Sequence, residues 1–529
     1  MTSDKNFSRV RSFLWPIRRY ELSKFVPMLI LFFLISFNYH LLRITKDSLI
    51  ITAPQSGAEV LPFLKVWAML PAALLITSFF TRMTNYFSRE KVFYLITTLF
   101  LVFYLVFLLY IYPNKEALYW DSCANALQKA LPAGAKGFVA LIRYWMYSLY
   151  YIFAEFWSTL MVSILLWGFA NDVTTVSEAK RFYALFGIGI NSSGILAGKF
   201  GEFLSTHIGS YSPKWIPFSI ASWEEAFSIF LIIIIANGLI AMGIHRWLHV
   251  KKFTSRRHAK HLTVSSQNEK PKKMSLRTSI AYVAKSKYLI YIAVIVLAYN
   301  MVINFSEVLW KSQIRELFPT SGGYTAFTSK VTFYIGLLAT LASYLISGNV
   351  IRRFGWRRAA LATPLIAAFT GIGFFYFLFV KQYFPPSWGN FFGLTPLLLA
   401  VSFGSIQNIF VRSSKYTLFD DTKEMAFIPL SQESKLRGKS AIDGVGSRLG
   451  KSGSSLILQI LLIFFATPIA CSGVIFVLIA VIVPVWIKSI HSLNKKFVDL
   501  TTIPKEALEP TSQTKEKEAV LASANPQNS

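Results

Sequence analysis

Several charged side chains in this sequence stand inside long apolar runs, at spacings that put them on one helical face. Ser148, Tyr151, Glu155, Ser158 and Thr159 form such a polar stripe, because residues three, four and seven apart share a face of a helix. Asn300, Asn304, Glu307 and Lys311 repeat it in the second half of the chain. Arg43-Ile44-Thr45-Lys46-Asp47 closes another apolar run, with Asn38 and Tyr39 on roughly the same side. Two more faces carry Gly404, Asn408, Arg412 and Lys415 beside Gln407, and Gly444, Ser447, Arg448, Lys451, Ser455 and Gln459. A last one carries Gly187, Asn191, Gly194 and Gly198. A charge at mid-bilayer costs roughly 2.5–3.5 kcal/mol on insertion scales, so these groups are expected to face a polar cavity. Cations outnumber acids among them, so an anionic solute is expected there, with lysine as a mobile point charge for phosphate. Glu155 and Glu307 would balance the lysines while the cavity is empty.

Plainer readings accompany each assignment. Lys46 could snorkel to the membrane edge, Glu155 could serve a helix–helix pair, and Arg412 and Lys415 could be interfacial anchors. The glycines around Asn191 read as close helix packing, and Asn191 itself is either an interhelical hydrogen bond or a substrate contact.

The elements that must position these groups are membrane helices. Of 529 residues, 54% are hydrophobic and only 15% charged, against about 25% charged in an ordinary soluble domain. Runs such as Val92–Ile111, Phe227–Ile244 and Leu456–Ile487 reach the roughly 20 residues that a bilayer-crossing helix needs. Spans are predicted at 25–45, 62–82, 91–112, 143–169, 179–204 and 225–246, then at 287–311, 327–349, 358–380, 393–417, 439–464 and 467–488. The net charge of +28 would suggest nucleic acid in a soluble chain. Here the positives gather outside the spans. Met1–Lys24 carries six Lys/Arg against two acids, and Arg246–Lys287 twelve against Glu269 alone. Both are expected to face the cytoplasm. The division is thus a basic N-tail (1–24), a six-helix half (25–246), a basic linker (247–286), a second half (287–488) and a cytoplasmic tail (489–529). From Asn494 onward the tail is polar and expected to be disordered.

The two sets of six spans echo one another. Tyr86-Phe87-Ser88-Arg89-Glu90-Lys91 and Arg353-Phe354-Gly355-Trp356-Arg357-Arg358 follow the second and eighth spans. Glu178-Ala179-Lys180 precedes a glycine-rich helix, as does Glu433-Ser434-Lys435. Paired six-span halves joined by a cytoplasmic linker predict an all-α, major-facilitator-like membrane protein. Gly446-Ser447-Arg448-Leu449-Gly450-Lys451-Ser452 is one residue short of a phosphate-binding P-loop and lies in a span, so it is not read as one. His245 and His249 lack an obvious acidic or Cys partner in the sequence and are read as interfacial residues rather than a zinc site. Cys123 and Cys471 indicate no disulfide framework. No nucleophile–base constellation stands out, and no metal or cofactor is expected.

The markers Leu42-Arg43-Ile44-Thr45-Lys46-Asp47-Ser48-Leu49, Ala154-Glu155-Phe156-Trp157, Trp167-Gly168-Phe169-Ala170-Asn171-Asp172, Asn304-Phe305-Ser306-Glu307 and Leu449-Gly450-Lys451-Ser452-Gly453 resemble the ATP/ADP translocases of chlamydiae and rickettsiae, relatives of the plastid envelope nucleotide transporters. The resemblance covers roughly residues 20–490. It implies twelve spans, no enzymatic activity, and exchange of external ATP for internal ADP, with phosphate accompanying the ADP, across a bacterial inner membrane. It implies that two lysines and two glutamates, falling on Lys46, Lys451, Glu155 and Glu307, are needed for transport. The phosphates are then assigned to Lys46, Lys451, Arg43 and Asn191, and Tyr151 is a candidate contact for the base. The chain is expected to work as a monomer in the lipid bilayer, without nucleic acid. A broader ribonucleotide importer driven by protons, through a buried Glu, is the alternative within transport. A receptor or scaffold that moves nothing is the alternative outside it.

Overall fold

The computed structural model describes residues 17–207, 222–250, 276–345, 347–383, 394–439, 441–442 and 446–502. Among them there is no strand, as expected of a chain that satisfies its backbone polar groups within helices. The long helices are α1 (Leu22–Ile51), α2 (Val60–Tyr86), α3 (Arg89–Ile111), α4 (Trp145–Val173), α5 (Val176–Thr206) and α6 (Trp223–Leu248). They continue with α7 (Lys287–Leu317), α8 (Ser321–Leu345), α9 (Arg353–Lys381), α10 (Pro396–Ser414), α11 (Ser447–Phe465) and α12 (Ser472–Thr502).

Among the described residues, nine helices are long and apolar enough to cross a membrane. α5, α10 and α11 stand where the fifth, tenth and eleventh spans are predicted. Glycines and polar residues dilute their apolar content. Some boundaries move. α8 begins at Ser321, six residues ahead of the predicted start, and α12 continues to Thr502, past the Asn494 where composition predicts the tail. The basic linker contains a helix at Leu276–Lys285, while 251–275 lie outside the described residues. So do 1–16 and 503–529.

Local rules explain the starts of these helices. Thr175 and Glu178 form a capping box at the head of α5, with Thr175 N donating to Glu178 Oε2 at 2.9 Å. Such a box satisfies two of the backbone donors that open every helix. Glu178 also accepts from Lys24 of α1 at 2.8 Å, and Arg181 donates to Glu21 at 2.5 and 2.7 Å. The heads of α1 and α5 are therefore tied together. The second copy of the motif, Ser434 and Lys435, lies instead on a short helix of its own, Gln432–Lys439, ahead of α11.

Four segments widen into π-helical turns: Leu64–Ala68, Phe107–Ile111, Trp157–Leu166 and Lys415–Phe419. Such bulges concentrate at functional sites. Three of them carry, or begin two residues after, a charged residue of the faces described above or, in Lys65, a further lysine.

The first six of these helices (the first half of the chain) meet the last six (the second half) along α5 and α8. A methyl added at Gly336 of α8 would come within 2.8 Å of Ile195 N and 2.9 Å of Asn191 O, so glycine is what lets the backbones approach. Other contacts between halves gather where α1, α7 and α11 end. Ser48 Oγ donates to Ser321 O at 3.0 Å, and Thr52 Oγ1 stands 2.6 Å from Ser321 Oγ. Arg315 donates to Ile51 O and Thr52 O at 3.1 and 3.4 Å, placing a cation at the negative end of the α1 dipole. Gln459 donates to Pro62 O at 2.8 Å. This end of the molecule is sealed.

Candidate functional site

One step in from the seal, α1, α4, α7 and α10 bring buried charges together. Lys46 Nζ lies 2.8 Å from Glu155 Oε1 of α4 and 3.4 Å from Asp47 Oδ1. The other Asp47 oxygen is 2.7 Å from Lys311 Nζ of α7. Lys311 is also 2.8 Å from Glu307 Oε1, one turn back on the same helix. Glu307 Oε1 in turn meets Arg412 Nη2 of α10 at 2.8 Å, and Arg412 Nε donates to Asn408 Oδ1 at 2.7 Å. The result is an unbroken ladder from Glu155 through Lys46, Asp47, Lys311 and Glu307 to Arg412. It crosses between the halves at Asp47.

Each charge in the ladder has a partner, as burial demands, since an uncompensated buried ion costs several kcal/mol. Lys46 is 5% exposed and pinned at both ends, so it does not snorkel. Arg412 is an ion-pair partner of Glu307 rather than a membrane anchor. Lys415 pairs with Asp420 at 2.8 Å. Glu155 is the most open member, its side chain 37% exposed.

Three further cations border the ladder. Arg43, one turn before Lys46, is half-buried and has no hydrogen bond or ion pair among the described residues. Lys451 of α11 is exposed and likewise unpaired, and its charge bears on Glu155 through space. Lys65 of α2 has no carboxylate partner among the described residues and donates to Asn304 Oδ1 at 2.5 Å. Among the described residues, six cations (Arg43, Lys46, Lys65, Lys311, Arg412, Lys451) thus stand with three acids (Asp47, Glu155, Glu307). The cluster carries an excess of positive charge.

Two of the sequence-derived candidates stand apart from this role. Tyr151 is 1% exposed and carries Lys46 Nζ 3.6 Å above its ring, a cation–π contact that takes up one of its faces. Asn191 lies at the α5–α8 crossing, where its Nδ2 donates to Ser343 Oγ at 3.4 Å. This corresponds to the interhelical option. Lys451 is on the second turn of α11 because that helix starts at Ser447, and 443–445 of the predicted span lie outside the described residues. His249 does have an acidic neighbour, Glu90 at 3.4 Å, and His245 stacks on Phe93 at 4.0 Å between ring centres.

Of the cluster, Asp47 is named in the sequence only as the end of its run, without a role, and Lys65 is missed altogether. Asp47 is the residue after Lys46 and so points roughly 100° away from it on a regular helix. Lys65 sits inside a π-helical turn, where the 3.6-residue period breaks. The Lys46-Asp47 pair of opposite charges was the available signal for the first. A lone lysine in an apolar span was the signal for the second.

Residues 1–497 match the family model described as TLC ATP/ADP transporter. The chain is similar to ADP,ATP carrier protein 1 of Chlamydia pneumoniae, with 40% identity over 499 residues, 94% of this chain and 96% of that protein. It is 36% identical to ADP,ATP carrier protein 4 of Rickettsia conorii, covering 93% of this chain and 95% of that one. It is also 36% identical to the chloroplastic ADP,ATP carrier protein 1 of Arabidopsis thaliana, covering 90% and 74%. Among solved structures, a bacterial homologue of the iron transporter ferroportin in an inward-facing state superposes with a TM-score of 0.51 at 13% identity, over 91% of this chain and 99% of that one. A D-xylose–proton symporter gives 0.51 and 13%, over 87% and 97%. At that identity the likeness concerns the fold alone.

Proposed function

Because the chain belongs to the TLC ATP/ADP transporter family, we propose that it exchanges ATP for ADP across a bacterial inner membrane, as a secondary antiporter that carries phosphate with the ADP. In this reading α1 to α12 all span the bilayer as two six-helix halves, and both termini are cytoplasmic. The basic linker supports that orientation. The sealed end then faces outward and the cation-rich cluster opens toward the cytoplasm. One chain supplies every rung of the ladder, which supports a working monomer.

The observation that carries the reading is the contrast between paired and unpaired charge. The ladder holds Lys46, Lys311 and Arg412 on carboxylates, while Arg43 and Lys451 have no counter-ion among the described residues. A polyphosphate entering the cavity meets Arg43 and Lys451 first and competes with Glu155 and Asp47 for Lys46. Weakening Lys46–Asp47–Lys311 loosens the charged link between α1 and α7, and the halves rock to expose the site on the other side. An empty site would have to pass through its occluded state with excess positive charge desolvated, which is costly. Reorientation therefore needs an anion aboard, and transport becomes exchange. ADP carries less charge than ATP, and a phosphate taken with it makes up the difference.

The test is uptake of labelled ATP into liposomes containing the purified protein. Vesicles loaded with ADP and phosphate take up ATP, and empty vesicles do not. Equal uptake into empty vesicles under a proton gradient would replace this account with proton-coupled import.

A further inference from the structure

We infer that Lys65, Asn304 and Lys451 form a phosphoryl-group subsite spanning the two halves, with Lys65 as its specificity-determining residue. The inference rests on the nucleotide-exchange reading and adds to it a residue outside the ladder.

Lys65 is half-buried near the start of the apolar helix α2, on the π-helical turn Leu64–Ala68. Its ammonium has three protons to donate. One goes to Asn304 Oδ1 at 2.5 Å, and no acid completes its shell among the described residues. A neutral amide does not offset the burial of an ammonium, which is why buried charges usually find an opposite charge. Asn304 is itself held rigidly. Its Nδ2 donates to Ser454 Oγ at 2.8 Å and Ser455 Oγ at 3.0 Å of α11. Both hydroxyls spend their own protons on backbone oxygens of Gly450 and Lys451. The amide is thereby fixed with its oxygen toward Lys65, and Lys451 stands one turn earlier on the same α11. Through this pre-oriented amide, Lys65 thus meets the turn of α11 that carries Lys451, and neither lysine has an ion pair among the described residues.

A phosphoryl oxygen between them would accept from both ammonium groups and supply the charge that is missing. The occupant is a phosphoryl group, either the terminal one of the nucleotide or free inorganic phosphate. Because Lys65 belongs to α2 and its anchor to α7 and α11, occupancy ties the halves together. The number of phosphoryl groups on a ligand is then what the subsite reads.

The test is titration calorimetry on the purified full-length protein with ATP, ADP, AMP and inorganic phosphate, for wild type, Lys65→Gln and Lys65→Arg. If the terminal phosphoryl group is the occupant, Lys65→Gln weakens ATP by roughly 10- to 150-fold, the range of one charge-assisted hydrogen bond, and AMP by less than about threefold. Lys65→Arg keeps most of the discrimination. If free phosphate is the occupant, Lys65→Gln abolishes phosphate binding and leaves the ATP-to-AMP ratio alone. A folded Lys65→Gln protein with an unchanged ratio and unchanged phosphate binding overturns the subsite. As a check independent of folding, ATP or phosphate shields Lys65 of the wild type from amine acylation read by peptide mass spectrometry, and absence of shielding overturns it equally. A wild type that binds no nucleotide would instead defeat the exchange reading.

Discussion

Replacing Asp47 with Asn should open the sealed end without unfolding the protein. Asp47 Oδ2 takes Lys311 Nζ at 2.7 Å across the interface between halves, and Oδ1 takes Lys46 at 3.4 Å on its own helix. Both lysines keep a second carboxylate, Glu155 for Lys46 and Glu307 for Lys311, each at 2.8 Å. The substitution therefore leaves no buried cation stranded. What is lost is the charged link between α1 and α7. A hydrogen bond to a charged group is worth about 1.5–3 kcal/mol, so the balance between sealed and open states shifts roughly 10- to 150-fold at about 1.4 kcal/mol per factor of ten. The readout is labelling of Ser321→Cys, whose hydroxyl is 2.6 Å from Thr52 Oγ1 inside the seal. With Cys123 and Cys471 replaced by Ser, a membrane-impermeant thiol reagent should modify this position many-fold faster in the Asp47→Asn protein. Equal rates in both backgrounds would refute the idea that the Asp47 rung holds that end shut.

Other perturbations separate binding from architecture. Arg43→Gln should raise the KM for ATP about tenfold or more, by loss of one charged contact, with little change in Tm, since Arg43 makes no hydrogen bond or ion pair among the described residues. Thermal-shift and uptake assays on one preparation check both halves of that statement. Arg412→Gln should lower Tm as well as activity, because it removes one of the two cations on Glu307. Gly336→Val should destabilise the protein by about 1–3 kcal/mol, the usual cost of overpacking, because its side chain would press on the α5 backbone at Asn191 and Ile195. Chemical denaturation in detergent measures it.

The sequence carried the helices and the stripes further than it carried the partnerships. Glu155 and Glu307 were legible because each interrupts an apolar run at helical spacing, and a carboxylate there has few places to go. Their partners were not, because an ion pair between α1 and α4 or between α7 and α10 joins residues far apart in sequence, and a local period says nothing about which helices touch. Arg412 illustrates this. It sits low on its face as an anchor would, yet Glu307 draws it into the ladder. Asn191 shows the reverse, a polar residue among glycines whose place is set by how closely α5 and α8 pack. Tyr151 shares the Glu155 stripe and is spent as the surface beneath Lys46.

The most direct test of the whole account is a structure of this protein with ATP bound. The account predicts the triphosphate between the halves, within hydrogen-bonding distance of Arg43 and Lys451, with Lys46 drawn away from Glu155 or Asp47. A nucleotide seated outside this cluster, or one whose phosphates leave Arg43 and Lys451 untouched and the Lys46 pairs intact, would contradict it.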